Sequence, residues 1–409
     1  MKKRFLSILL AVILVVSLFP VTALADAHSH SYINGLCECG ACEGTHSSYT
    51  WTEINSLAKL KELFGTGGYG YLTADITLTE NENLEISYAD APVNLCLNGR
   101  VLNLNGKGCI YVDLGRTFNL YDCGTSEHKF TVDSTTGLWS LNTEGTKTVT
   151  GGVITGGKMG VYLINNSNFT MNGGNICGNA ALFVGGGVSA EANTNFTMNG
   201  GNICGNIAPI NGGGVNAAGN FTMNGGTISD NTAGEIGGGV YVYGPLTIGG
   251  TAVIKNNTGH TSANAVPSDA EFADDCEGPV AISSTVAPAA EMNVGLLGKK
   301  GDKVLGATSD DEQYFFSNDN TLEVKFNNAG TPGETNDDYL ELVEKETEPE
   351  PETEKRSYTT VTIGGNKDKE ETKVEEKTEE NPDTGAPVLS MSTGIAVLFG
   401  AAFILSKKK

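Results

Sequence analysis

Positive charge is scarce in this 409-residue chain: 26 lysines and arginines stand against 48 acidic residues, a formal net charge of −22. Only four arginines occur, at positions 4, 100, 116 and 356. Nucleic-acid binding draws its strength from lysine and arginine on phosphate, so a nucleic-acid partner is excluded. Acidic polysaccharides are repelled as well, unless calcium bridges them. The deficit is deepest in the middle, where residues 146–257 hold three carboxylates (Glu191, Asp230, Glu235), three lysines, and neither arginine nor histidine. Sugar hydrolysis needs paired carboxylates and elimination needs a base with calcium ligands, and no such set is visible there. Arg100, Arg116, Asp113, Asp122 and His128 lie upstream and read as solvated outer-face residues, so no catalytic residue is assigned. A 3.6-residue helical pattern is missing from the middle too.

What fills the middle is a repeat. Residues 166–179 read NSNFTMNGGNICGN, 193–206 NTNFTMNGGNICGN and 218–231 AGNFTMNGGTISDN, placing Phe169, Phe196 and Phe221 27 and 25 residues apart. Gly-Val pairs recur in step at 187–188, 214–215 and 239–240. A fixed period of this size means stacked structural units. Within each unit apolar residues alternate, which is the signature of strands. Three inward sets follow: Phe169/Met171, Phe196/Met198, Phe221/Met223 and Leu246/Ile248; then Val161/Leu163, Val188/Ala190, Val215/Ala217 and Val240/Val242; then Ile176, Ile203, Ile228 and Ile254. About three strands per coil of roughly 25 residues, joined by Asn/Gly turns, predict an all-β fold, a right-handed parallel β-helix. If the period holds from 69 to 343, roughly eleven coils are expected.

The flanks divide the rest. Residues 1–25 read as a secretory signal, with Lys2, Lys3 and Arg4 before the apolar run 5–18 and Ala23-Leu24-Ala25 as the cleavage site. Residues 26–50 are rich in cysteine and histidine. Cys37, Cys39, Cys42 and His46 can close a small structural zinc site, and in an exported chain the same cysteines can form disulfides instead. Residues 51–64 read as a capping helix, with Thr50 and Glu53 as a capping box and Ile54, Leu57, Leu60, Leu63 and Phe64 as its apolar stripe. Such a cap covers the open end of the β-helix, assigned to 65–345. Residues 346–380, rich in Glu, Lys, Thr and Pro, read as an acidic disordered linker.

The chain ends in Asn381-Pro382-Asp383-Thr384-Gly385, an apolar stretch 386–405 and three lysines. The stretch is just long enough to span a membrane as a helix, with the lysines stopping it on the cytoplasmic side. This tripartite ending, 381–409, resembles the cell-wall sorting signal of Gram-positive surface proteins in its NPxTG form. The resemblance implies cleavage by a sortase after Thr384, transfer to peptidoglycan, and an outer-surface location with the apolar segment only transiently in the membrane. Loss of three positive charges at each end would lower the net charge from −22 to −28. The repeat region, with LCLNGRVLNLNG, TMNGG and GGGV, looks like the pectin-lyase-like β-helix surface proteins of Gram-positive gut bacteria, without well-defined catalytic motifs.

Two outward features remain. Tyr162, Tyr241 and Tyr243 lie in outward columns beside Ser189 and Asn216, where rings can stack on sugars while neighbours hydrogen-bond hydroxyls. Cys177 and Cys204 occupy equivalent outward positions on adjacent coils, close enough for a coil-to-coil disulfide. The expected function is adhesion, or binding of a glycan or host ligand, at the cell wall. The alternatives are a bare structural stalk and a divergent polysaccharide lyase or hydrolase.

Overall fold

The structure, a computed structural model, describes residues 51–261, 264–272, 280–283, 285–328 and 338–345, and the short strands Tyr32–Ile33 and Leu36–Cys37. From the Cys/His segment only the backbone of those two strands is described, so the Cys37, Cys39, Cys42 and His46 side chains lie outside the described residues. So do the signal, the acidic linker and the sorting signal. No helix among the described residues is long and apolar enough to cross a membrane.

The chain winds as a right-handed parallel β-helix of about eight turns. One turn runs through Asn168–Met171, Asn175–Cys177 and Val188–Ala190, then returns to the first face at Asn195–Met198. The three faces are named here for the residues they stack: phenylalanine, cysteine and tyrosine. Pairing between turns is parallel and in register, with Phe169 on Phe196, Cys177 on Cys204 and Val188 on Val215.

The period-two pattern explains the core. Phe118, Phe169, Phe196 and Phe221 stack inward with centroids 5.2, 5.1 and 4.7 Å apart and nearly parallel planes. Each is almost fully buried, worth about 1.5–3 kcal/mol of apolar transfer. A polar column runs beside them. Asn179, Asn206, Asn231 and Asn257 are buried, and the last three each accept on the side-chain oxygen from the backbone N–H and amide of the asparagine one turn before. The ladder ends on Asp269, which accepts from Asn257 and, on its other oxygen, from Asn318. Those bonds satisfy the amides inside a low-dielectric column, where an unpaired one would be costly.

The N-terminal end is closed by a helix, with different bounds from those expected. Thr52–Ile54 is a strand paired with residues 70–72, and the helix spans Leu57–Thr66. Sheet pairing takes the segment that the Thr50/Glu53 pattern would have coiled, and Ser56 becomes the cap, accepting from Lys59 N–H at 3.4 Å. Phe64 packs on Phe118 at 5.8 Å. Gly70 leaves the space for the cap: a Cβ there would lie 2.6 Å from Leu63 and 2.9 Å from Ile54.

The count of about eight turns falls short of eleven for two reasons. Residues 127–150 leave the coil as a three-stranded antiparallel sheet, Trp139–Leu141, Glu127–Val132 and Lys147–Thr150. Beyond residue 300, Leu322–Asn327 and Tyr339–Glu344 fold back antiparallel and cap the phenylalanine face. At the same end Asn293–Leu297 joins the other two faces, pairing with Val253–Lys255 through its start and Ala270–Phe272 through its end.

Candidate ligand-binding groove on the tyrosine face

The outward column of the tyrosine face reads Glu85, Tyr111, Tyr162, Ser189, Asn216, Tyr241 and Glu271 in successive pairing register. It is not a continuous platform. Ser189 and Asn216 are buried although they point outward. The reason is loop length. Five residues separate Thr155 from Val161, but ten separate Cys177 from Val188, and the next two turns match the longer form. The longer loops stack through Ile207–Ala208, Thr232–Ala233 and Thr258–Thr261, and their glycines 185, 212 and 237 lie against Ser189, Asn216 and Tyr241.

The step from short to long loop leaves a groove of about 350 Å³ at the lower edge of this stack. Tyr162, Met159 and Lys158 form its floor side, and Leu182, Phe183 and Val184 its overhang, with Asn83, Ser189 and Glu191 adding polar groups. Leu182 and Phe183 are 64% and 67% exposed, unusual for such side chains. Tyr162 packs on Tyr111 with centroids 5.6 Å apart. Burial first, and then the Glu191 carboxylate, raise the Tyr162 phenol above its ordinary value. Burial and then Asp113 and Glu85 do the same to Tyr111. Lys158 donates to Asn81 at 3.0 Å.

The structure therefore separates the three tyrosines. Tyr162 lines the groove, while Tyr241 lies three turns away, roughly 14 Å at the usual strand spacing, with Tyr243 just past the end of its strand. Phe183, Leu182 and Tyr111 were missed by the sequence reading. The available signal was disagreement among copies: the position of Phe183 holds Ile210 and then Glu235 in the next two loops. A second aromatic group, Trp51 with Tyr69, Tyr71 and Tyr121, lies on the phenylalanine face and packs on itself, Trp51 being 5.2 Å from Tyr69 and largely buried.

Four of the five upstream charged residues have structural contacts while Arg100 is exposed, and Asp122 is only partly solvated. Asp122 is mostly buried and accepts from the N–H groups of Gly99, Gly124 and Gly152, and burial raises its carboxyl despite those bonds. His128 meets the Gly99 carbonyl at 3.0 Å, and Arg116 donates to the Ser87 carbonyl at 3.3 Å. Asp113 accepts from Leu114 N–H and the Asn165 amide. These contacts hold turns and the base of the antiparallel insert.

Cys177 and Cys204 are joined by a disulfide, Cα atoms 4.7 Å apart. They point outward yet are buried, because the insert lies over them: Phe130, Trp139, Val149 and Val153 complete a second small core. Trp139 N–H donates to Gly205 O at 3.1 Å, and Lys147 pairs with Asp230 at 2.8 Å. A side chain at Gly205, whose φ is +59°, would collide with the Trp139 ring. Among the described residues no cluster of histidine, cysteine and carboxylate could hold a metal ion. Compared with known proteins, the chain matches no family model, no curated protein and no solved structure.

Proposed function

We propose that this protein is an exported, wall-anchored β-helix that binds an extracellular glycan on its tyrosine face. The sorting-signal resemblance of residues 381–409 supports the anchoring, and the fold supports a rigid surface module. The observation that carries the binding reading is the loop-length step, which leaves Phe183 and Leu182 exposed over Tyr162 beside Glu191, Asn83 and Lys158. Rings held on strands give a sugar an apolar face with little ordering cost, and the flanking polar groups fix its hydroxyls. Asp122, Arg116 and His128 are engaged with backbone turns away from the groove lining, and the proposal is binding without turnover.

The test is a glycan array probed with the full chain, with and without calcium, alongside the Tyr162→Ala/Phe183→Ala double variant. Retention on defined glycans that the double variant loses, with no released product, supports the reading. Retention unchanged in the double variant removes the groove from the function. Unsaturated or reducing ends released from the array would make the protein an enzyme instead.

A further inference from the structure

The groove carries an electrostatic bias that points to a particular kind of sugar. Tyr111 and Tyr162 sit near three carboxylates: Glu85 one turn below Tyr111, Asp113 just past the end of the Tyr111 strand, and Glu191, the one of the three that lines the groove itself, beside Tyr162. None of the three joins an ion pair among the described residues. The single cation on the lining, Lys158, donates to the neutral Asn81 amide and keeps its charge, so the three carboxylates and this lysine together carry a net charge of −2. An anionic sugar brought here would meet this net negative charge, whereas a cation would meet the Glu191 carboxylate and ring faces, each of which attracts it.

We propose that the groove takes a hexosamine bearing a free amine, with the sugar face against Tyr162 and Phe183 and the ammonium at Glu191. This rests on the glycan reading above and narrows it to one class: amino sugars in their deacetylated form, rather than N-acetylated or uronic sugars. Shape and charge act together in this assignment. The exposed apolar overhang receives the C–H face of a pyranose, and the carboxylate distinguishes an ammonium from an amide at the neighbouring carbon.

Titration calorimetry of the full chain against a β-linked glucosamine tetramer, the same tetramer fully N-acetylated, and a galacturonic acid tetramer decides it. The titrations are run at mildly acidic pH, where the sugar amine is charged. The free-amine tetramer is expected to bind about tenfold more tightly than the acetylated one, an advantage that shrinks with added salt. Glu191→Gln should erase that preference by weakening the free-amine tetramer far more than the acetylated one. Tyr162→Ala and Phe183→Ala should weaken both tetramers, with circular dichroism showing the β-helix intact.

Equal affinity for the free-amine and acetylated forms overturns the amine assignment and leaves the glycan reading standing. A preference that survives Glu191→Gln overturns the role given to that carboxylate. A tetralysine peptide that binds as tightly as the glucosamine tetramer overturns the sugar assignment in favour of charge alone. No binding by any of the three sugars overturns this inference, and the array then decides the glycan reading by itself.

Discussion

Leu114 is the only described residue outside glycine, asparagine and aspartate with a left-handed backbone, φ +52°, and its side chain is 53% exposed. The same turn one coil later uses Asn165, with φ +51°. A β-carbon in this conformation costs roughly 1 kcal/mol that asparagine partly avoids. Leu114→Asn is therefore expected to stabilise the protein by about 0.5–1 kcal/mol, read as a higher urea midpoint at unchanged slope. A lower midpoint would mean that the leucine side chain makes a stabilising contact.

The asparagine ladder behaves oppositely. Asn206 is fully buried, accepts from Asn179, and donates to Asn231 and the Ile176 carbonyl. Asn206→Ala strands the buried donors of Asn179 and removes the amide that serves Asn231 and the Ile176 carbonyl, at a cost of about 2–4 kcal/mol. A loss under 1 kcal/mol by denaturant titration would show that water or relaxation replaces the ladder.

At the scale of elements, the coils were legible because alternation and period agree: Phe169, Phe196 and Phe221 had to share a face once their strands were aligned. The insert was not. The alternation in Glu127–Val132 looks the same whether the strand pairs in parallel within a coil or antiparallel in a flap. The pairing of Thr52–Ile54 was hidden for a related reason, since a local capping pattern cannot report a long-range strand partner. The groove was half visible: the column of Tyr162 followed from the repeat, but Phe183 is where the repeat breaks, and repeat logic looks past such positions.

The insert makes its own prediction. Trp139→Ala removes the ring lying over Gly205 and opens the cover of Cys177–Cys204. The local packing loss should be about 3 kcal/mol, and the disulfide should become faster to reduce by dithiothreitol, because thiolate attack needs access. Reduction at the wild-type rate would mean that the bond is reached by a route the insert does not guard.

For the whole molecule, pH acts in a sense contrary to ordinary acid denaturation. Burial raises the Asp122 and Asp269 carboxyls above their usual 3.8. The folded state therefore binds protons that the unfolded state releases, and stability rises as pH falls from those raised values toward 3.8. Relief of repulsion in a chain of net charge −22 adds to the same trend. Asp133 and Asp319, lowered by hydrogen bonds from Thr136 and Thr321, contribute in the opposite direction, and that contribution is lost only as pH drops below 3.8 through their depressed values. Melting temperature should climb as pH falls from neutrality toward 3.8, through the raised carboxyls, and fall only below that. A flat or declining Tm over that window would contradict this account.

The disulfide has a further consequence under load. A β-helix pulled along its axis yields by peeling turns from an end, each lengthening the molecule as its backbone straightens. Cys177 and Cys204 bracket one whole turn, 27 residues apart in sequence, and hold its two ends 4.7 Å apart at the Cα atoms. With the bond intact that turn can open but not extend, so the fully drawn-out chain is shorter by about 90 Å than its reduced form. Oxidation thus sets how far the molecule can be stretched before the covalent backbone itself bears the force.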